Sequence, residues 1–198
     1  MSFGSMSQNP MLFYLLIGVI ILAALAAKLY ALLQRHRLKN VADAFPGQII
    51  SGLFRTYFLG TWENRQFMLR ATYGPRSFPP VLRIVMLTPC RFRLNMRLES
   101  FSDGIFKSIG LNREVQTGDN AFDGMFFLQS DDAAAVQSLF SSKEAKEAAR
   151  SLSMNGFQLR FDQEGITAVK VNYNPALDPV LIKLLLEQMD VLAKSLPA

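Results

Sequence analysis

MLFYLLIGVIILAALAAKLYALL (residues 11–33), followed at once by QRHRLK (34–39), is the stretch that decides the architecture of this 198-residue chain. Seventeen residues from Met11 to Ala27 carry no charge, and the run to Leu33 is broken only by Lys28. As an α-helix its twenty-three residues cover roughly 35 Å, enough to cross a hydrocarbon core. Lys28 lies five residues from the end of the run, where its four-carbon stem lifts the ammonium to the headgroups. Tyr30 at one end and Phe13 with Tyr14 at the other suit the two interfacial belts.

A cleaved signal peptide is the competing reading, because Ala24-Leu25-Ala26 resembles a small-residue cleavage site. Such a peptide carries positive charge before its apolar run, and residues 1–10 are uncharged. The positive charges follow the run instead: Lys28, Arg35, Arg37 and Lys39. The expectation is an uncleaved anchor with residues 1–10 as a short extracytoplasmic N-terminus and everything after residue 34 in the cytoplasm, at the inner membrane of a cell. Gly18 has no small residue four positions away, so no close helix-dimer motif is signalled.

Beyond residue 39, 159 residues remain, enough for one domain with a sizeable core. The whole-chain pI near 9.5 overstates the charge of that domain. Four of the 21 basic residues flank the membrane run; the other 17 face 16 acidic ones, a net charge of +1. Binding to nucleic acid therefore has no support from charge. Residues 41–113 are net +6 and residues 114–198 net −5, which predicts that the two halves pack together and neutralise each other. A single cysteine, Cys90, excludes an internal disulfide and fits a reducing compartment.

The fold class read from the remainder is α+β: a single N-terminal transmembrane helix (11–33), a basic juxtamembrane helix or linker (34–45), and one domain of mainly antiparallel sheet with packed helices (46–198). Phe45-Pro46-Gly47 breaks the helix. Ile49 to Leu59 alternates as one strand, with Phe54, Thr56 and Phe58 on one side. After a turn over Gly60–Asn64, Arg65 to Tyr73 returns with Phe67, Leu69 and Ala71 inward. Val81 to Thr88 reads as a central strand. Phe126-Phe127-Leu128 reads as a buried strand, and short helices are expected over 103–109 and from Asp131 or Asp132 to Phe140. Ser141 with Glu144 forms a capping box for a helix that Gly156 closes. Residues 157–161 and 166–173 form a hairpin. Asp178-Pro179 starts a last helix whose apolar face is Leu181, Leu185, Met189, Leu192 and Leu196.

The clearest alternation runs from Arg91 to Glu99: Phe92, Leu94, Met96 and Leu98 on one face, Arg91, Arg93, Asn95, Arg97 and Glu99 on the other. Same-face neighbours on a strand stand about 6.6 Å apart. Arg91, Arg93 and Arg97 thus form a basic stripe, either solvated and paired with the acidic half or open to lipid phosphates or an acidic protein.

Signs of chemistry are sparse. The only histidine, His36, sits in the basic membrane flank, and a zinc site has no CxxC pair to build on. Neither a phosphate-binding glycine loop nor a Gly-x-Ser-x-Gly elbow occurs. Cys90 beside Arg91 and Arg93 is either a thiol of lowered pKa or a small core residue. In Gly118-Asp119-Asn120-Ala121-Phe122-Asp123-Gly124, aligning Asp119 with the first position of a calcium loop puts Ala121 and Ser130 where oxygen ligands belong. A polar turn whose carboxylates bind their own backbone accounts for it better. No cofactor, metal or small-molecule substrate is expected.

Gly118-Asp119-x-x-Phe122-Asp123-x-x-Phe126, with Asp131-Asp132 and an Ala/Leu-rich helix after it, resembles the soluble region of bacterial membrane-anchored proteins of unknown function. The resemblance implies a bacterial cytoplasmic-membrane protein and carries over no catalytic residue. The expectation is a non-enzymatic module that works at a lipid bilayer and binds a protein partner or a second copy of itself. The alternatives are binding of anionic lipid headgroups through Arg91, Arg93 and Arg97, and an enzyme using Cys90 or the Asp119/Asp123 pair.

Overall fold

The computed structural model describes residues 10–52, 55–72, 79–99, 114–173 and 177–197. The first helix, α1 (Pro10–Ala44), is unbroken for 35 residues. Residues 11–26 are exposed throughout, and this is the one described helix long and apolar enough to cross a membrane. The architecture is that of a single-pass membrane protein.

The rest is α+β, as the alternation required. Among the described residues eight strands form one antiparallel sheet: β1 (Gly47–Ser51), β2 (Thr56–Trp62), β3 (Arg65–Thr72), β4 (Val81–Met86), β5 (Leu94–Leu98), β6 (Phe126–Ser130), β7 (Gln158–Asp162) and β8 (Gly165–Val171). Their order is β1-β2-β3-β4-β8-β7-β5-β6, so the late β7–β8 hairpin lies between β4 and β5. The expected single strand from Ile49 to Leu59 is in fact two paired strands, with Ser51 opposite Thr56. The turn to β3 is tighter than Gly60–Asn64. Glu63 and Asn64 both have positive φ, the geometry that matches the twist of a two-residue hairpin.

The described helices pack on one face of this sheet. They are α2 (Asn120–Asp123), α3 (Ala133–Leu139), α4 (Lys143–Met154) and α5 (Pro179–Lys194), joined by the end of α1. Asp132 caps α3 and Asp178 caps α5 with Pro179 in its first turn, as the sequence indicates. The cap of α4 is Ser142, whose hydroxyl accepts from the Ala145 amide; Ser141 instead donates to the Ser138 carbonyl. The cap is thus displaced by one residue, and with Ala145 at the third helical position the expected box with Glu144 does not form. Gly156, at positive φ, ends α4. The helix expected over 103–109 lies outside the described residues.

The core joins Phe58, Phe67 and Ile84 of the sheet to Leu152 of α4 and Leu186 of α5. It also takes in Leu38, Val41 and Phe45. With buried Gln34 and half-buried Ala27 and Ala31, these form one stripe along α1 at helical spacing. The segment 34–45 is therefore an integral helix of the folded unit rather than a tether, and the folded unit begins before residue 46. Burial of that stripe holds the helix against β1 and β2, while Arg35, His36, Arg37 and Lys39 face outward.

The neutralisation expected between the two halves is visible at two pairs. Arg65 of β3 is bound by Asp190 of α5, which also holds Lys194, and Arg83 of β4 meets Glu164 at 3.2 Å.

Candidate docking face

The sheet face opposite the helices carries the chain's distinctive chemistry. Strand register fixes which side chains share it. Arg70 of β3 stands directly across from Arg83 of β4, and Arg83 across from Val169 of β8. Val169 pairs with Gln158 of β7, Arg160 with Asn95 of β5, and Arg97 with Phe127 of β6. Four arginines, Arg70, Arg83, Arg97 and Arg160, thus lie on one face, and the only acidic side chain at its strand positions is Asp162.

Three of these arginines are each held differently. The Arg97 guanidinium lies 4.7 Å from the centroid of the Phe127 ring, a cation–π contact of about 0.5–1 kcal/mol at an exposed site. Arg160 Nε is 2.8 Å from Asp162 Oδ2. Arg83 reaches the exposed Glu164 carboxylate through Nη2, while its buried Nε finds no hydrogen-bond acceptor. Nearby on the same face, Thr167 is buried with its hydroxyl unsatisfied. Like charges directly across a strand pair destabilise it, and Arg70 opposite Arg83 is such a pair. Between β5, β6 and β7 the face dips into a shallow cleft of about 350 Å³, rimmed by Arg97, Phe127, Gln129, Gln158 and Arg160. The arrangement combines aliphatic and aromatic ground with forked donors, and it suits a partner surface that brings carboxylates or other anions.

The arginine stripe foreseen at 91–97 breaks up. Only Arg97 lies on β5, since the strand starts at Leu94. Arg91 and Arg93 are exposed in the bend before it, and the Arg93 backbone is fixed by its amide donating to Asp131 Oδ1 at 2.7 Å and its carbonyl accepting from Ser130. Sequence reasoning missed Arg70, Arg83 and Arg160. Their alternation within each strand was legible, but the strand order that joins them to Arg97 was not.

The other candidates resolve into packing. Cys90 is buried, and its thiol is pushed up to about 11, first by burial and then by the Asp162 charge, opposite to the lowering that Arg91 and Arg93 suggested. Asp119 caps α2, accepting from the Ala121 and Phe122 amides, and Lys146 at 2.8 Å together with those amides holds its carboxyl below the usual range. Asp123 is buried and accepts from the Thr117 amide, the Thr117 hydroxyl and the Gly118 amide. Both carboxylates thus bind their own loop. Among the described residues no three His, Cys, Asp or Glu side chains converge as a metal site would need.

Arg35, Arg37 and Lys39 are exposed on the outer side of α1, whereas Lys28, also exposed, lines a cleft with Ser51 and Gly52 at the end of β1. Arg91 and Arg93 are at the other end of the strands, beside the Leu94–Phe161 pair.

No protein-family model and no curated protein sequence matches the chain. Among solved structures it is similar in outline to the crystal structure of the mycobacterial trehalose monomycolate transport factor A, TtfA. The two share 12% identity with a TM-score of 0.48, over 83% of this chain and 96% of that one. A likeness this remote carries no statement about function.

Proposed function

We propose that this chain is a membrane-anchored docking module without enzymatic activity, whose arginine-bearing sheet face receives an acidic protein partner. The observation that carries the reading is the charge of that face: four arginines against one aspartate at its strand positions, with two arginines directly opposed. Leaving like charges opposed costs stability in the free protein, and a partner carboxylate between them turns that cost into affinity. Lys28, Arg35, Arg37 and Lys39 flank the span on the domain side, so the domain faces the cytoplasm by the positive-inside rule. With the resemblance at Gly118–Phe126, this supports the inner membrane of a bacterium.

Lipid headgroups are the poorer ligand for Arg91 and Arg93, which sit at the end of the strands away from the span. A photo-reactive residue at Gln158, in the full chain in its native membranes, tests the reading. An adduct with a second protein is expected, lost at raised salt and in the Arg70→Gln/Arg83→Gln/Arg97→Gln/Arg160→Gln variant. An adduct of two copies of the chain points to self-assembly, and no adduct, or one indifferent to these arginines, refutes docking at this face.

A further inference from the structure

We infer that the end of the sheet nearest the span is seated in the bilayer interface, so that the domain stands on the membrane through a second contact besides α1. The inference rests on α1 crossing the bilayer. The first observation is one of level. Measured from Met11, a hydrocarbon core of about 30 Å ends after about twenty residues of helix, near Ala31. β1 returns alongside the helix, and Ser51 and Gly52 line a cleft together with Ala24, Ala27, Lys28 and Ala31. The tip of β1 therefore reaches the height at which the hydrocarbon gives way to headgroups.

Antiparallel register makes the edge that begins at this tip continuous across the sheet. Ser51 is opposite Thr56, Thr72 opposite Val81, and Val81 opposite Val171. Beyond Val171, the start of β7 at Gln158, the end of β5 at Leu98 and the start of β6 at Phe126 complete the same edge. None of the eight strand-terminal residues on this edge is charged, and the described charges beside it are Arg55, before β2, and Glu99, after β5. The opposite edge and its turns carry Glu63, Arg65, Arg91, Arg93, Asp162 and Glu164.

Exposed apolar side chains complete the case. Leu98 and Val171 at this edge are 43% and 48% exposed, and Met154, at the end of α4 shortly before β7, is 64% exposed. Leu98 belongs by alternation to the core-facing row, with Leu94 and Met96 buried, yet it runs out beyond the helices that cover them. A bilayer interface accepts such side chains, as it accepts the apolar face of an interfacial helix.

The test uses the full chain in phosphatidylcholine vesicles, with a fluorophore on Leu98→Cys, Val171→Cys or Met154→Cys and, as the far-edge control, Gln163→Cys. Cys90 is buried and takes no label in the folded chain. Lipid carrying a nitroxide high on its acyl chain is expected to extinguish the three near-edge labels and leave the Gln163 label bright. Near-edge labels as bright as the control, in a chain that alkali does not extract, overturn the seating while the span stands. A chain released by alkali overturns the span and the seating together.

Discussion

Leu38 lies between Arg37 and Lys39 in what reads as a solvated basic flank, yet it is 1% exposed. Leu38→Ala therefore tests whether the membrane helix is a structural member of the domain. Truncating a fully buried leucine costs about 2–5 kcal/mol, the range reflecting how far the site collapses. For a unit of this size 1 kcal/mol shifts the midpoint by about 2–4 °C, so the unfolding midpoint should fall by roughly 5–15 °C. The control is Leu33→Ala, one helical turn and a little more nearer the span, where the side chain is 53% exposed and meets lipid or detergent instead of the core. Alanine is the better helix former, so helix propensity works slightly against the expected loss in both variants. Thermal unfolding in detergent, followed by fluorescence of Trp62, reads the effect directly. That indole is the chain's only tryptophan and packs edge-on to Phe45, ring centroids 6.1 Å apart, at the end of the same helical stripe. Equal midpoints for Leu38→Ala and Leu33→Ala would refute the docking of α1 into the core and restore a flexible tether.

Three further outcomes follow from the geometry. Cys90 should resist maleimide at neutral pH until denaturant is added; because its folded pKa, about 11, lies above the ordinary value of 9.0, its contribution to stability is complete below pH 9 and is lost as pH rises toward 11, which a pH series of unfolding midpoints checks against Cys90→Ala. Gly165→Ala should destabilise by about 1–3 kcal/mol from backbone strain alone, since Gly165 has φ +132 and an added Cβ would strike the Met86 carbonyl; an unchanged denaturation midpoint would contradict the β4–β8 register. Arg70→Gln should leave the domain as stable or more stable, by up to about 1 kcal/mol in denaturant unfolding, because it removes a like charge facing Arg83, while reducing any adduct formed at Gln158; a loss of stability would mean that Arg70 serves the fold.

What the sequence disclosed follows the range of the forces involved. Residues 65–72 announce a strand because one face must be apolar and the other tolerates water, and this period is local. The caps at Asp132 and Asp178 are equally local, each needing only a side-chain oxygen within reach of the next turn. Strand order is not local. The β7–β8 hairpin enters between β4 and β5, and nothing near Arg97 in sequence tells that Arg160 will be its neighbour. The candidate face was therefore legible only at Arg97, while Arg91 and Arg93 were drawn in by an alternation that begins before the strand does. The stripe Gln34, Leu38, Val41 and Phe45 was present in the sequence at helical spacing, but charges at 35, 37 and 39 between its members masked it.

That stripe determines how the arginine face is presented. A flexible linker would let the domain tumble and offer the face in every direction, whereas α1 runs without a break from Pro10 to Ala44 and is packed into the core over its last turns. β1 returns alongside the helix from Gly47 to the level of Ala31, so the sheet is fixed to the span along its first strand. The open face is thereby held in a fixed relation to the span. Six strand-to-strand steps separate β1 from β5, about 29 Å along the sheet at 4.8 Å per step, so Arg97 and Arg160 lie well to one side of the anchor. A partner meeting these arginines must stand beside the domain at a similar height above the bilayer. An acidic domain that is itself membrane-attached satisfies this at high effective concentration, since tethering both proteins to one surface removes much of the entropic cost of their meeting. Detaching the domain from the bilayer by replacing residues 11–26 with a soluble sequence should therefore weaken the adduct at Gln158 even with the domain fully folded, and an adduct of undiminished yield in solution would show that the membrane contributes nothing to the encounter.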